Sequence, residues 1–420
     1  MMRKRHVAIV GYGTAGQACA HALAGEAIEV EIFERVPEPG PVGAGFLLQP
    51  TGLQALWRLG LLDEVRRHGA PVGRLYGETV HGRAVMDMRY ADLDPRLCGL
   101  GMQRGALFTI LHRAIGRRAT MHAGLAIDAI DHEAGRVRDH LGHWHGPFDL
   151  VILADGSASR LRETVSSPRI NQPYPWGALW CLLPAGDWPW LDELRQRYVL
   201  ARHMVGLLPV GTLPDDHVPK LSFFWSLRTE RFEHWREAGR DAWLDELAAV
   251  WPEARGLLGE GFDVGLLARA AYRDAVMGVW HRGRSVLVGD AAHAMSPQLG
   301  QGANMALVDA VTLADALAAH RDLGEALARY ADARRLHLAA YHRWSRWLTP
   351  LFQSHHDWLA RLRDLAFLPA GRLPGGRGHM LRVLAGTQQG WLGRYALEGG
   401  FLRDWTRAPP ALPPLVGAGR

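Results

Sequence analysis

Three glycines near the start of the chain have a spacing that suits dinucleotide binding. Gly11, Gly13 and Gly16 form the pattern G-x-G-x-x-G, with Thr14 and Ala15 inside it. The first glycine permits a tight turn, the second lets the backbone approach a pyrophosphate, and the third lets a helix pack closely on a strand. A helix that starts here directs free N–H groups and its positive dipole end at the phosphates. The spacing therefore predicts a site for an anionic dinucleotide.

An acidic residue ends the next predicted strand. Strand 28–33 runs into Glu34, whose carboxylate can accept hydrogen bonds from both hydroxyls of an adenosine ribose. An unphosphorylated ribose is therefore favoured, and NAD or FAD fits this position better than NADP. Because the chain contains 48 glycines, the glycine pattern alone is weak evidence. The prediction depends on the whole succession of strand, loop, helix, strand and acid.

A second bare stretch of backbone lies far downstream, at 289–304, with the sequence GDAAHAMSPQLGQGAN. It follows an apolar strand and precedes a helix predicted over 303–319. Asp290 is placed for a ribityl hydroxyl, and N–H groups at the helix start can stabilise negative charge on an electron-rich ring. A plain surface loop is the alternative, but two such sites predict one extended ligand that spans both. The candidate contacts after Asp290 are Pro297, Gly300, Gln301, Gly302, Ala303 and Asn304.

Two other positions have an open interpretation. Arg104 begins a helix predicted over 105–116, where the helix dipole disfavours a cation. A phosphate or ribose partner would explain this arginine, and an ordinary surface position is the alternative. Asp155 and Gly156 directly follow an apolar strand, and taken alone they indicate an ordinary turn.

The elements that position these residues differ along the chain. Strands and helices alternate at first, and 119–153 then predicts a small sheet of short strands. Residues 173–275 have no glycine-rich phosphate loop and predict aromatic strands followed by helices over 231–258. Their aromatic and neighbouring side chains could line a pocket for a planar, apolar ligand, or simply form core. These side chains are Trp176, Trp180, Tyr198, His203, Met204, Phe224 and Trp225.

The last hundred residues predict mainly helices. One helix over 325–350 should stop at Pro350, and a second follows over 355–367. The first helix has an apolar stripe, which suits core packing or a partner surface. The apolar residues at 379–405 are compatible with a hydrophobic substrate, a dimer contact or weak membrane association.

Composition narrows the class of protein. The 420 residues are 48% hydrophobic and 22% charged, with a formal net charge of +5. Because the arginines are scattered, we expect no nucleic-acid partner. The 3 cysteines have no metal or disulfide spacing, which predicts no metal site and a cytoplasmic location. The N-terminal apolar run is too short for a signal peptide. No window approaches the roughly 18 apolar residues of a membrane span, and peripheral contact with a membrane stays open.

Taken together, the motifs carry a family resemblance. GYGTAG, Glu34 with Arg35, QRGAL, ADGSASRLR and GDAAHAMSPQLGQGAN occur in an order that resembles the group A flavoprotein monooxygenases, the para-hydroxybenzoate hydroxylase-like family. The resemblance covers roughly residues 5–320. It implies an α/β fold with a Rossmann-like FAD-binding domain, an interleaved β-sheet substrate domain and a helical C-terminal region. The boundaries predicted for these three parts are 1–172 with 276–330, 173–275, and 331–420.

The resemblance also implies roles for single residues. The ADP half of FAD would lie at the N-terminal loop, with the flavin ring beside 297–304. Arg35 and Arg104 would flank the cofactor, and Asp155 would lie near FAD and, with Arg162, affect the nicotinamide donor. Asp290 would bind the ribityl-phosphate part. Tyr12, Leu153 and Ser296 depart from the residues common in the family, but none removes a group that contacts the cofactor.

The chemistry implied by the family is aromatic hydroxylation. NADH or NADPH reduces FAD without a second nucleotide-binding domain, and O2 then forms a flavin C4a-hydroperoxide that an activated ring attacks. We expect a small aromatic, quinone-like or polyketide-like substrate and a monomer or homodimer. A base that deprotonates a phenol would assist the reaction. His203 and Tyr198 are the candidates.

Two alternatives to a hydroxylase remain at this point. The same cofactor fold could serve a flavin reductase, oxidase or halogenase, although the WPW at 188–190 is not the halogenase signature W-x-W-x-I-P. A flavin-binding protein without catalytic activity is the other alternative. The retained Arg162 and the retained run 297–304 count against it.

Overall fold

The computed structural model describes residues 4–40, 43–259, 261–371 and 373–407. The strands, in chain order, are β1 (Arg5–Val10), β2 (Ile28–Glu34), β3 (Gly45–Leu48), β4 (Ala70–Val72), β5 (Arg74–Thr79), β6 (Ala84–Arg89), β7 (Gly99–Gln103), β8 (Ala119–Ala123), β9 (Ile127–Asp131), β10 (Arg136–Asp139), β11 (Trp144–His145), β12 (Leu150–Leu153), β13 (Pro168–Pro184), β14 (Glu193–Val199), β15 (His203–Leu213), β16 (Asp216–Arg228), β17 (Ala268–Met277), β18 (His281–Arg282), β19 (Ser285–Leu287), β20 (Gln388–Gln389) and β21 (Gly393–Arg394).

The helices, in chain order, are α1 (Thr14–Leu23), α2 (Pro50–Arg58), α3 (Leu62–His68), α4 (Arg104–Ile115), α5 (Arg162–Val165), α6 (Phe232–Ala238), α7 (Arg240–Val250), α8 (Pro252–Leu258), α9 (Asp290–His293), α10 (Gly302–Ala319), α11 (Leu323–Phe352), α12 (Asp357–Ala370), α13 (Gly376–Leu384) and α14 (Gly399–Thr406). A short 3-10 turn at Pro297–Leu299 precedes α10.

A six-stranded sheet forms the first layer, in the order β18-β19-β12-β1-β2-β8. β1 pairs in parallel with both β2 and β12, and β12 pairs in parallel with β19. The central strands are continuous apolar runs because helices cover both faces of a parallel sheet. All four residues of β12 are buried, as are the last four of β1. The carboxyl ends of β1, β12 and β19 therefore meet at one edge, where the glycine loop, Asp155 and Asp290 follow.

The stretch 119–153 was predicted to form one small sheet, but its strands belong to two different sheets. β8 and β12 join the six-stranded sheet beside β2 and β1, and β9, β10 and β11 alone form the small antiparallel sheet. β12 is a fully apolar, buried strand, whereas β10 and β11 carry mostly polar or half-exposed residues, which agrees with their different sheets.

A seven-stranded sheet forms the second layer, in the order β17-β13-β16-β15-β14-β5-β6. β5 and β6 come from 74–89, inside the range predicted for the cofactor domain, because the chain crosses to the second sheet and returns. β13 and β17 extend a few residues beyond the predicted limits of 173–275. On one face of this sheet, odd-numbered residues of β13, β15 and β16 pack beneath α6, α7 and α8. The opposite face meets β3 and β7.

The C-terminal region is helical over its described part, which ends at Arg407, and 408–420 lie outside the described residues. α11 continues past Pro350 to Phe352 rather than stopping there. Pro350 lies in the last turn, where the missing N–H removes a single helical hydrogen bond. α12 and α13 follow, and α14 packs on α2 through Trp57 and Phe401.

Among the described residues, one helix has the length and composition of a membrane span. α10 has a mean hydropathy of 1.3 over its 18 residues, and 61% of them are buried inside the protein. It packs between α1, α2 and α11 and carries the buried carboxylate of Asp309. Its apolar surface is therefore covered by the protein's own core.

Candidate functional site

The N-terminal glycines make a close crossing between the loop and the strand β12. Gly11 has φ +103, and a Cβ there would lie 2.5 Å from the carbonyl oxygen of Ala154. A Cβ at Gly16 would lie 2.0 Å from the carbonyl oxygen of Gly11. Nothing lies within 4 Å of a Cβ at Gly13, which is the residue before α1 and provides no side-chain cap. The loop is thus tightly packed on one side and open at the helix N-terminus, as a phosphate site requires.

Glu34 is held at the end of β2 by two backbone donors. The N–H of Tyr12 donates to Oε2 at 2.8 Å, and the N–H of Val36 donates to Oε1 at 2.9 Å. These bonds fix the carboxylate beside the glycine loop and leave it further acceptor capacity, because an ionised carboxylate has about four lone-pair sites. Arg35 is exposed next to it. Both positions suit contacts with the adenosine half of a dinucleotide.

Asp155 and Arg162 form an incompletely paired polar cluster after β12. Arg162 is fully buried, and its Nη2 donates at 2.7 Å to the carbonyl oxygens of both Gly156 and Ser157. Its Nε and Nη1, and Oδ1 of Asp155, have no hydrogen-bond partner among the described residues. Buried polar groups are nearly always paired, so these three atoms indicate a polar ligand at this place.

Burial changes the titration of both groups. It raises the pKa of Asp155 and lowers the pKa of Arg162, while the nearby carboxylates of Asp155 and Asp290 favour the charged form of Arg162. The electrostatic coupling of Arg162 to Asp290 joins the turn after β12 to the downstream loop. Asp155, Arg162 and Asp290 therefore lie close enough to interact.

The downstream loop presents the N-terminus of α10. Gly300 has φ +60 with open space around its Cβ position, and α10 starts at Gly302 with no side-chain cap. Oδ1 of Asp290 lies 3.6 Å from where a Cβ of Gly302 would be. The free N–H groups of the first turn, which includes Ala303, and the preceding turn at Pro297 thus form a surface that can accept a ring carrying negative charge.

The side chains of Gln301 and Asn304 serve the protein's own backbone. Oδ1 of Asn304 accepts from the N–H of Gln49 at 2.8 Å, and its Nδ2 donates to the carbonyl of Leu47 at 3.1 Å. Nε2 of Gln301 donates to the carbonyl of Leu384 at 2.8 Å. Any cofactor contact made by Asn304 would therefore use its backbone N–H, and its side chain positions β3 and α2 against α10.

The side chain of Arg104, the first residue of α4, passes directly over the backbone of Gly43. Its Cδ lies 2.5 Å from the Cβ position of Gly43, which has φ +121, so only glycine permits the crossing. The guanidinium lies 5.7 Å from the ring centroid of Phe46 and is exposed. It also lowers the pKa of Tyr272, although burial of that phenol dominates and raises it. Arg104 therefore stands between the cofactor loops and the seven-stranded sheet.

An aromatic wall faces Arg104 from the seven-stranded sheet. Trp180 and Phe224 are direct cross-strand neighbours on β13 and β16 and remain partly exposed. At a β-bulge between β13 and β17, the three residues Tyr174–Trp176 lie opposite the single residue Tyr272. Such a bulge changes the direction in which the neighbouring side chains point. Burial raises the pKa of Tyr272, so its phenol stays protonated near neutral pH. The strand pairing puts Trp176, Trp180, Phe224 and Tyr272 on the same face.

Neither residue predicted as a base lies on an open part of this wall. His203 is on the opposite face, with its ring 5.7 Å from that of Trp225 and its nearest carboxylate, Glu246 of α7, at 4.0 Å. Burial lowers the pKa of His203. Tyr198 is sealed by Phe352 and Arg363, donates to Gln196 at 2.8 Å, and has a pKa raised by burial. These positions give no support to a catalytic role for either residue.

A buried charge network behind the downstream loop was not predicted. Oδ2 of Asp309 accepts from the N–H of Gly289 at 2.8 Å and from Nε2 of His293 at 2.6 Å, while Oδ1 accepts from Nε of Arg334 at 2.7 Å. Arg334 also donates to Nδ1 of His337 at 2.5 Å. The neighbouring cations lower the pKa of Asp309 to about 2, against the opposing effect of its burial. The network ties the turn before Asp290 to α10 and α11. The sequence signal for it was the acid Asp309 inside the apolar pattern of α10.

Comparison with known proteins identifies relatives of this chain. The profile of a family described as "FAD binding domain" matches residues 4–345. The 3-amino-4-hydroxybenzoate 2-monooxygenase PtnB3 of Streptomyces platensis is 30% identical over 87% of this chain and 93% of its own. The putative 2-heptyl-3-hydroxy-4(1H)-quinolone synthase AqdB1 of Rhodococcus erythropolis is 27% identical over 89% and 92%. The crystal structure of Klebsiella pneumoniae HpxO with FAD and uric acid superposes with a TM-score of 0.76 at 22% identity, covering 93% of this chain and 98% of that one.

Proposed function

The chain belongs to the FAD-binding-domain family of flavoprotein monooxygenases, and from this membership we propose that it hydroxylates a planar, largely apolar aromatic substrate. Its cofactor is FAD, and NADH or NADPH and O2 are its co-substrates. When bound, FAD supplies the activated oxygen for the reaction. The observation that carries the proposal is the aromatic wall of Trp176, Trp180, Phe224 and Tyr272, whose Tyr272 lies within electrostatic reach of Arg104.

The residues around the two loops fit FAD. The open space at Gly13 and the uncapped start of α1 suit the pyrophosphate, and Glu34 suits the adenosine ribose. The unpaired buried atoms of Asp155 and Arg162 require a polar partner, which the cofactor or the nicotinamide donor would supply. With Asp290 added, these residues would hold the whole length of an extended dinucleotide.

The residues near the expected ring position have three tasks. The N-terminus of α10 stabilises negative charge placed beside 297–304. The sheet face excludes water, which protects a reactive oxygen species from wasteful decay. The protonated phenol of Tyr272 donates a hydrogen bond to an oxygen of the substrate and so orients the ring. We assign no base.

The wall favours an apolar ring over a polyanion. Arg228 lies over Trp176 with 5.3 Å between the guanidinium and the ring centroid, but Glu230 pairs with it at 2.8 Å. Arg104 is the cation whose charge acts on Tyr272, and it has no ion pair with an acid among the described residues. The names of two relatives refer to an aminohydroxybenzoate and to an alkylated hydroxyquinolone, which are both flat rings that carry oxygen and nitrogen groups. We propose a substrate of this general type, and a cytoplasmic location that agrees with the free cysteines Cys19, Cys98 and Cys181.

The test uses the purified flavoprotein and a panel of hydroxybenzoates, hydroxypyridines and 4-quinolones. We expect one class to accelerate NADH or NADPH oxidation and to yield a product that carries one oxygen atom from isotopically labelled O2. Tyr272→Phe should raise KM for that substrate more than it changes FAD affinity. Oxidation of NADH or NADPH without O2, with formation of a reduced product that carries no added oxygen, would instead identify a reductase. Stable FAD binding with no turnover on any member of the panel would contradict the substrate class.

A further inference from the structure

Exposed apolar side chains cluster where the hairpin β20–β21 meets α11. The exposed fractions are 91% for Leu392, 59% for Leu336, 54% for Trp391 and 53% for Trp347. The rings of Trp347 and Trp391 are 5.5 Å apart, and the N–H of Gly390 donates to the carbonyl of Leu336 at 3.2 Å. These four side chains form one surface, which we call the hairpin patch.

The hairpin that displays the patch is rigidly built. Gln388 is fully buried, and its Nε2 donates to the carbonyls of Trp391 at 2.9 Å, Gly393 at 3.2 Å and Gly390 at 3.3 Å. Its Oε1 accepts from Nε of Arg382 at 3.1 Å. A buried glutamine thus organises the tip and holds Leu392 out in water. An accidental loop would not need this internal support.

The patch is surrounded by arginines without acidic partners. The guanidinium of Arg343 lies 4.2 Å from the ring centroid of Trp391, and neither Arg343 nor Arg394 has an ion pair among the described residues. The charge of Arg394 adds to burial in lowering the pKa of Arg382. The rim is therefore positive and uncompensated, which makes it complementary to an anionic surface.

The size of the patch argues for a lipid surface over a second copy of the chain. With about 200 Å² for a large side chain, four side chains that are half to nine-tenths exposed present about 500 Å². A stable protein interface buries about 800 Å² on each partner. Tryptophan and arginine side chains, with apolar bodies and polar ends, are suited to the boundary between lipid tails and headgroups. A protruding leucine can enter that boundary without matching the shape of a partner.

We propose that the hairpin patch docks the enzyme on anionic phospholipid membranes. Leu392 and Trp391 insert among the headgroups, while Arg343, Arg382 and Arg394 contact lipid phosphates. Such docking would give the enzyme access to an apolar aromatic substrate that partitions into membranes. This benefit rests on the proposed function, but the docking does not, because binding to vesicles is measured without substrate.

The experiment is co-sedimentation of the FAD-loaded full chain with vesicles. We expect binding to vesicles of equal parts phosphatidylglycerol and phosphatidylcholine, weaker binding at high salt, and little binding to phosphatidylcholine alone. Leu392→Asp should lower the ratio of bound to free protein at least about tenfold, because it removes the insertion of a whole leucine. Leu266→Asp is the matched control, since Leu266 is 62% exposed but lies beside α8; its binding should be unchanged.

A second pair of measurements separates the possible outcomes. Arg343→Gln with Arg394→Gln should reduce the preference for phosphatidylglycerol and leave flavin absorbance unchanged. Light scattering after size exclusion reports the oligomeric state of each variant. Equal vesicle binding by Leu392→Asp and the parent would overturn the proposal. So would a dimer that Leu392→Asp dissociates and that shows no vesicle binding, because the occupant would then be a second copy.

Discussion

Replacing Gly13 by aspartate should separate the stability of the fold from the affinity for FAD. Gly13 has φ −75 and ψ −172, a conformation open to any residue, and its Cβ position has nothing within 4 Å. It precedes α1, which has no side-chain cap. Aspartate is among the best N-cap residues, and a negative charge there also complements the helix dipole. We therefore expect the apoprotein of Gly13→Asp to gain about 0.5–1 kcal/mol of stability.

The same carboxylate should strongly weaken FAD binding. It would occupy the N–H groups of the first turn of α1 and stand beside the pyrophosphate. Two unit charges about 5 Å apart at an effective dielectric constant of about 20 repel by about 3 kcal/mol. At about 1.4 kcal/mol per tenfold change, the affinity should fall about a hundredfold or more.

The assay measures both quantities on the same preparations. FAD titration of the apoprotein, followed by flavin fluorescence, gives the dissociation constant, and urea unfolding gives the stability. Gly25→Asp is the control, because Gly25 also has nothing within 4 Å of its Cβ position but lies in the turn after α1. An FAD affinity of Gly13→Asp within about threefold of the control, a difference below about 0.7 kcal/mol, would refute the placement of the pyrophosphate at Gly13.

Asp309→Asn should destabilise the protein by about 3–5 kcal/mol in urea unfolding, because Arg334 is left as a buried and unbalanced charge. Asp315→Asn is the control: its side chain is 52% exposed, and the change should alter stability by less than about 0.5 kcal/mol. The folded-state pKa of Asp309, about 2, lies below the ordinary 3.8, so the contribution of this carboxylate to stability is complete above pH 4 and is lost as the pH falls toward 2. Between pH 6 and pH 3, the urea midpoint should therefore fall less steeply for Asp309→Asn than for the parent protein. Gly206→Ala would place a Cβ 2.0 Å from the ring of Phe224 and should raise the substrate KM about fivefold, equivalent to about 1 kcal/mol, with FAD affinity unchanged. An equal rise in KM for an alanine at Gly256, where nothing lies within 4 Å, would remove that explanation.

The cofactor loops could be predicted from sequence because their chemistry is local. Gly16 packs on the carbonyl of Gly11 and Gly13 directly precedes the helix, so the spacing encodes most of the loop, although Gly11 also packs on the distant Ala154. The meeting of this loop with Asp290 follows from one further rule, since β1, β12 and β19 are parallel and their carboxyl ends share an edge. The roles of these residues toward FAD remain predictions that the binding experiments test.

The charge network could not be predicted, because its members come from three separate helices. His293, Asp309, Arg334 and His337 meet only after α9, α10 and α11 have packed. A single acid inside an apolar helix shows that a partner must exist, since a buried carboxylate without a partner is too costly. The identity of that partner depends on tertiary packing, which the helical period does not encode.

The predicted pocket lining contained Trp176, Trp180 and Phe224 but did not separate them from core residues such as Trp225, and the physical cause lies in the parity of the strands. A strand with one solvated face alternates polar and apolar residues, and the alternation then tells which side chains point inward. β16 alternates apolar residues with serine over Leu221–Leu227 except at Phe224, where the alternation breaks because both faces of the strand carry an aromatic ring. Phe224 and Trp225 therefore look alike in sequence, although one lines the wall and the other packs on Trp243. His203 was selected on the same ambiguous ground, and its position two residues before Val205 puts it on the α7 face. In a sheet buried on both faces, a candidate catalytic residue can be chosen only after the strand register has assigned each side chain to a face.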